Sequence, residues 1–254
     1  QQSLQRGQST IDVAMAAGET VKDVLGQMKN LVLAASDPGV DKASLDAYEE
    51  DFKNLAKQIT TTIQGANFNG VNMIANLDAN GAPQATGAGK SLKALASADG
   101  KNTIDVSGVN FGLYTSHADA AAASADTDAT PAMNIASGSF AAIRAEAAGD
   151  PDADPVVPAD ADAWQALMKQ VDDSISYVTS SLTKLGTGSK SLDNQLTFTS
   201  KLQDTLETGI GNLVDADLAK ESAKLTALQT KQQLGVQALS IANSSSSVLL
   251  SLFR

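Results

Sequence analysis

Apolar residues recur at intervals of three and four along the first part of the chain. One row repeats every seven residues and consists of Leu4, Ile11, Gly18, Leu25 and Val32. The row beside it consists of Ala14, Val21 and Met28. Two such rows form a heptad seam, which predicts a helix over 3–35 that packs against other helices. The sequence "SDPGVD" at 36–41 ends this helix with proline and glycine.

A second heptad pattern follows immediately and predicts a helix over 43–64. Asp41 or Ser44 is placed to cap its first turn. Its apolar positions are Leu45, Phe52 and Ile59, with Tyr48 and Leu55 in the row beside them. Because a short loop joins the two helices, we expect them to lie antiparallel, seam against seam.

The pattern then changes from helical to extended. Asn69-Gly70 stands between short apolar runs and predicts a tight turn. A second pair of strands is predicted around Asp99-Gly100. We expect strands near 69–115 at the outer end of the helical rod. Residues 116–158 are poor in bulky apolar side chains and the helical seams draw on none of them, so we expect the core to take nothing from this segment and the rod to fold without it.

Heptads return after Asp160 and predict a long helix over 160–208. Its unbroken row consists of Trp164, Val171, Val178, Leu185, Leu192, Thr199, Leu206 and Leu213. Gly186 and Gly188 are interpreted as tolerated weak points within it. Gly209 and Gly211 are expected to interrupt the helix, with Asp215 capping a new one.

The predicted last helix carries two separate apolar rows. One row consists of Leu234, Ala238, Ile241, Ser245, Val248 and Leu252. The other consists of Leu218, Leu225 and Leu239. Two rows suit a helix that packs between several neighbours, whereas an isolated helix would leave them in water.

Composition excludes several classes of function. The net charge of −11 argues against binding nucleic acid, because an acidic surface repels phosphates. The chain has no cysteine and one histidine, so thiolate and two-histidine metal sites are impossible. No apolar run is long enough to span a membrane. We expect no catalytic, cofactor or metal site.

Four local features are candidates for a chemical function. The aspartates at 150, 152 and 154 start like a calcium loop, but Pro155 and Ala161 stand where glycine and glutamate are required. The sequence "GAGKS" at 87–91 resembles a phosphate loop whose first glycine is replaced by Gln84. His117 has no nucleophile motif near it. Trp164 and Tyr177 suit sugar stacking, but the heptad position of Trp164 favours core packing.

Four stretches carry a resemblance to a known family. They are "STIDVAMAAGETVKDVLGQMK", "NFNGVNMI", "DADLAKESAKLTALQTKQQLGVQALSIAN" and the terminal "VLLSLFR". With them the chain resembles bacterial flagellin, of the short kind found in alphaproteobacteria. The chain starts inside a running helix pattern, so we expect a flagellin truncated at its N-terminus. The resemblance covers both flanks but not the middle of the chain.

The resemblance implies a fold and a division into domains. The fold is mainly α, an elongated antiparallel coiled-coil rod with β-hairpins and a small α+β outer module. Residues 1–76 and 160–210 would form the helical rod (D1), 77–159 the variable outer module, and 211–254 the C-terminal helix that lines the filament core (D0).

The resemblance also implies a function by assembly. The chain would be a secreted structural subunit of the bacterial flagellar filament, at the cell surface, used for motility. Its partners would be other flagellin subunits, an export chaperone and hook-junction proteins, with a surface glycan as a further partner. The expected assembly interface consists of Leu218, Leu225, Leu234, Leu239, Ile241 and Leu252. The alternative is a cell-surface protein that binds polysaccharide or another ligand through the outer module.

Overall fold

The computed structural model describes residues 1–84, 87–97, 101–113, 133, 135 and 161–252, with side chains in the last range described for 162–243. The first two predicted helices are confirmed: α1 spans Gln2–Ala35 and α2 spans Lys42–Gly65. Asp41 caps α2, its Oδ1 accepting a hydrogen bond from the Ser44 backbone N–H at 2.9 Å. Hydrogen bonds from Ser44 lower the pKa of the Asp41 carboxyl, because they stabilise its charged form.

A third helix, α3, spans Ala161–Leu252, and its first part packs against α1. The Lys29 ammonium lies 2.7 Å from a carboxylate oxygen of Asp172. A methyl group added at Gly18 would lie only 2.6 Å from Leu182 Cδ2. Residue numbers rise along α1 while those of their partners fall along α3, so the two helices are antiparallel, as expected.

The predicted break in the last helix is wrong. The structure has one helix through Gly209, Gly211 and Asp215, where an end at 208 and a new cap were expected. A glycine in a helix interior costs about 1 kcal/mol relative to alanine, which is too little to end a long helix. Neither glycine has a positive φ, the left-handed conformation that usually terminates a helix.

The tight turn predicted at Asn69-Gly70 is confirmed. Phe68 and Val71 exchange two backbone hydrogen bonds of 3.0 Å, and the two residues between them have φ angles of 52° and 78°. Positive φ at both central positions defines a type I′ turn, the kind that Asn-Gly prefers. The Asn72 amide nitrogen then donates to the Ile63 carbonyl at 2.7 Å, which fastens the turn to the end of α2.

Two small antiparallel hairpins follow. Strand β1 at Asn76–Leu77 pairs with β2 at Pro83–Gln84, and β3 at Leu92–Leu95 pairs with β4 at Thr103–Val106. The predicted pairing of strands on either side of residues 99–100 is therefore confirmed, while those two residues lie outside the described part.

The expected place of the second hairpin is wrong. It lies beside the first turns of α1 rather than at an outer end: a methyl group at Gly7 would lie 3.1 Å from Leu92, and Ser3 Oγ accepts from the Leu95 N–H at 3.2 Å. The Gln195 amide of α3 also donates to the Ala96 carbonyl at 2.8 Å. The reason is the antiparallel run of α2, which carries the chain back toward the start of α1.

One hydrophobic cluster joins these elements, and it draws on a part of the chain from which no contribution was expected. Met133 and Ile135 are both fully buried in it. The expectation that the core takes nothing from 116–158 is therefore wrong. The chain divides into two compact units, Gln1–Thr197, which holds this core, and Phe198–Arg254.

Candidate assembly surface

The heptad row of α3 changes its surroundings along the helix. Trp164, Val171 and Val178 are buried, as are Leu185 and Leu192. The same spacing of seven continues through Leu206 and Leu213, where the side chains are 57% and 74% exposed. The sequence pattern is thus unchanged, but in the unit Phe198–Arg254 no described residue buries these side chains.

The exposed large hydrophobic side chains are concentrated in that unit. Apart from Leu33 and Leu95, all of those described lie between Phe198 and Ile241. They are Phe198, Leu202, Leu206, Ile210, Leu213, Val214, Leu218, Leu225, Leu228, Leu234, Val236, Leu239 and Ile241. We call this set the apolar stripe. A continuous exposed set of this size marks an interaction surface.

The predicted interface residues belong to the apolar stripe, with one exception. Leu218, Leu225, Leu234, Leu239 and Ile241 are each more than half exposed. Leu252 is the last residue of the helix, and its side chain lies outside the described part.

The apolar stripe covers two sides of the helix. Leu218 and Leu225 are seven residues apart on one side, and Leu234 and Ile241 are seven apart on another. At about 100° per residue, the sixteen steps from Leu218 to Leu234 turn the side chain by roughly 160°. A single partner helix covers one side only, so burial of both rows requires at least two neighbours.

Charge is distributed unevenly along the same helix. Before Lys231 the helix carries charged groups, among them Glu221 and Lys224, which form an exposed ion pair at 3.1 Å. Beyond Lys231 the sequence has no charged residue until Arg254. Loss of charge together with exposed leucine is typical of the centre of an interface rather than of a surface that stays in water.

The first part of the apolar stripe was not predicted from the sequence. Phe198, Leu202 and Ile210 lie in 160–210, which was assigned to the packed helical rod, yet they are exposed. No sequence signal marks this change, because the spacing of seven continues from the buried Leu185 and Leu192 to the exposed Leu206 and Leu213.

The other candidate features are placed as follows. Trp164 is only 4% exposed, which confirms core packing over sugar stacking, and the Tyr177 ring contacts Phe111 edge to face at 6.1 Å. The residue after "GAGKS" begins a strand, and Lys90 donates to the Gly70 carbonyl at 3.0 Å. His117 and the aspartates at 150, 152 and 154 lie outside the described residues.

Two kinds of feature are absent from the described ranges. No cluster of three or more acidic or histidine side chains there is arranged to hold a metal ion. None of the helices there combines the length and apolar character needed to cross a bilayer.

Family and structural comparisons agree with the resemblance. The model of the bacterial flagellin N-terminal helical region matches residues 1–79, and that of the C-terminal helical region matches 168–253. Flagellin FljM of Caulobacter vibrioides is 43% identical, over 99% of this chain and 76% of that protein. Flagellin C of Rhizobium meliloti is 35% identical, over 98% of this chain and 78% of that protein.

A solved structure shows the same fold. The crystal structure of Bacillus cereus flagellin matches with a TM-score of 0.51 at 14% identity, over 76% of this chain and 86% of that one. The expected fold class is therefore confirmed: mainly α, with long antiparallel helices and small antiparallel hairpins. From its terminal helical regions and its relatives, the chain belongs to the bacterial flagellin family, whose members are structural proteins of the flagellar filament rather than enzymes.

Proposed function

We propose that this flagellin assembles into the extracellular filament by burying the apolar stripe of Phe198–Ile241 between subunits. The observation that carries the proposal is the change from buried to exposed within one unbroken heptad row of α3. Each leucine or isoleucine that leaves water gains about 1.5–3 kcal/mol before the costs of association are subtracted. We include Leu252 in this interface because it continues the row of Leu234 and Ile241.

We also propose the domain division that the resemblance implies. Residues 1–76 and 160–210 form the D1 domain, 211–254 the D0 helix, and 77–159 the variable module. The two-sided stripe supports a D0 helix that is enclosed by several neighbouring subunits, because a single neighbour would leave one of the two apolar rows exposed to water. Before assembly, the same rows offer an export chaperone an apolar helix face of the kind that groove-binding partners accept.

The remaining partners follow from position in a filament. Hook-junction proteins meet the first subunit through the surface that the next subunit would otherwise bury, so we assign them the apolar stripe as well. A surface glycan would belong to 77–159, the module that the resemblance places facing outward. The family and structural matches give no support to the alternative of a separate polysaccharide-binding surface protein.

The test uses one variant on each row of the helix and a matched control. Leu225→Ser and Leu234→Ser remove one apolar contact each, whereas Gln229→Ser changes an exposed polar residue between them. Leucine and glutamine have similar helix propensities, so the three changes disturb the helix equally. Filament length is measured by electron microscopy in cells that produce each variant, and secreted monomer is measured in the medium.

We expect the two leucine variants to be secreted as monomers with short or no filaments, and Gln229→Ser to form filaments of normal length. Filaments of normal length and heat resistance from both leucine variants would contradict the proposal. A variant that stays inside the cell is instead tested by assembly of the purified protein.

A further inference from the structure

The chain contains two Asn-Gly pairs, Asn69-Gly70 and Asn80-Gly81, and both asparagine side chains are exposed. In such a pair the asparagine amide is open to intramolecular attack, because glycine has no side chain to obstruct its own backbone nitrogen. The two pairs lie in different turns. Their surroundings therefore decide how fast each reacts.

The reaction needs only water besides the chain itself. The glycine nitrogen attacks Cγ of the asparagine, a C–N bond forms, and the Cγ–Nδ2 bond breaks. The side-chain nitrogen leaves as ammonia and carries away the proton that the glycine nitrogen lost. Water then opens the cyclic imide at either carbonyl and produces aspartate or isoaspartate.

At Asn69 the attacking nitrogen is already engaged. The Gly70 N–H donates to Oδ1 of Asn67 at 2.9 Å. Attack on Asn69 requires this nitrogen to lose its proton and to turn toward the Asn69 side chain, and each step breaks that hydrogen bond. The same peptide unit is held in the type I′ turn by the Phe68–Val71 pair.

A second restraint comes from the strand segment. The Lys90 ammonium donates to the Gly70 carbonyl at 3.0 Å, twenty residues away along the chain. Gly70 is thus hydrogen-bonded through both its nitrogen and its carbonyl by side chains that substitution can remove.

The second pair provides an internal reference. The Gly81 N–H donates at 3.0 Å to the backbone carbonyl of Asp78, an acceptor that no substitution at position 67 affects. Both asparagines can be followed in the same sample, so the ratio of their reaction rates cancels differences in buffer, temperature and handling.

We propose that Asn69 is a deamidation site held in check by the side chain of Asn67, with Lys90 as an additional restraint. Modification there adds a negative charge, and isoaspartate also adds a methylene to the backbone of a two-residue turn. We expect that insertion to disturb the Phe68–Val71 pairing, and the buried residues Met73 and Ile74 lie two and three positions beyond Val71. By slowing this reaction, the side chain of Asn67 protects the junction between α2 and the hairpins from chemical damage over the lifetime of the protein.

The experiment incubates the purified protein in mildly alkaline buffer at physiological temperature and follows both asparagines by peptide mass spectrometry. Asn67→Ala removes the acceptor, and Asn67→Asp, the matched control, keeps a carboxylate oxygen in its place. Circular dichroism checks that the variants retain the helical fold. We expect Asn67→Ala to raise the Asn69-to-Asn80 rate ratio by roughly twofold to tenfold, the range that corresponds to one ordinary hydrogen bond. Asn67→Asp should leave the ratio near that of the unsubstituted protein.

An unchanged ratio in Asn67→Ala overturns the proposal, and so does an equal rise in Asn67→Asp, since the acceptor would then be irrelevant. Lys90→Met gives a second test that leaves Asn67 in place. It should raise the same ratio by a smaller factor. If Asn67→Ala fails to fold, an unchanged ratio in Lys90→Met overturns the proposal by itself.

Discussion

At the scale of single residues, two glycines on α3 have opposite roles. A methyl group at Gly188 would lie 2.7 Å and 2.8 Å from the two methyl groups of Val106, which is β-branched and stiff. At Gly186 the nearest atom is the Met15 sulfur at 3.9 Å, an ordinary contact. The interpretation of both as tolerated weak points therefore holds for Gly186, while Gly188 lets the hairpin approach the helix.

This difference predicts opposite effects of the same substitution two residues apart. Gly188→Ala should lower the free energy of unfolding by about 1–3 kcal/mol, because the added methyl group overpacks a filled site. Gly186→Ala should raise it by about 0.5–1 kcal/mol, because alanine has the better helix propensity. Urea denaturation measures both. Equal effects at the two positions would show that Val106 does not limit the approach.

Asp41 predicts a dependence of stability on pH. Because folding lowers its pKa below the ordinary 3.8, the cap contributes fully above that value and is lost as the pH falls through the lower folded pKa. Asn accepts the same hydrogen bond without titrating. The stability advantage of the parent over Asp41→Asn should therefore shrink on acidification below pH 3.8, measured by denaturation at several pH values. A constant difference would contradict the cap as the source of the shift.

At the scale of elements, the helices follow from the sequence because their evidence is periodic. Leu4, Ile11 and Leu25 repeat often enough to identify the buried face of α1, and each is buried. Met133 and Ile135 are isolated apolar residues in a segment rich in alanine, serine and aspartate, so no period reveals their burial. The role of a glycine in a helix is equally hard to predict from the sequence. Its helix propensity is low both at an open site such as Gly186 and at a close contact such as Gly188.

The burial of Ile135 predicts that residues 116–158 are not dispensable. Ile135→Ala should lower the free energy of unfolding by about 2–5 kcal/mol, since it removes fully buried methyl groups and leaves a cavity. Leu95→Ala, at a side chain 49% exposed, should cost much less and serves as the control. Thermal or urea unfolding measures the loss of stability in both variants. A negligible effect of Ile135→Ala would restore the view that the core takes nothing from this segment.

At the scale of the whole molecule, the two units differ in what stabilises them. In Gln1–Thr197 the apolar rows are buried within the same chain, whereas in Phe198–Arg254 the described rows are exposed. Because a helix gains little stability from propensity alone, we expect the second unit to depend on partners for most of its order. The candidate surface could be predicted from its leucine rows, but its start at Phe198 could not, because the heptad row of α3 continues unchanged from buried to exposed positions.

The most direct test of this account is amide hydrogen exchange of residues 198–252, compared between dilute monomer and assembled filament. We expect rapid exchange of 198–252 in the monomer, while the helices of Gln1–Thr197 are well protected. Once subunits bury the apolar stripe, the amides of 198–252 should be strongly protected. Strong protection of 198–252 in the dilute monomer would contradict it, because the helix would then be stabilised within its own chain.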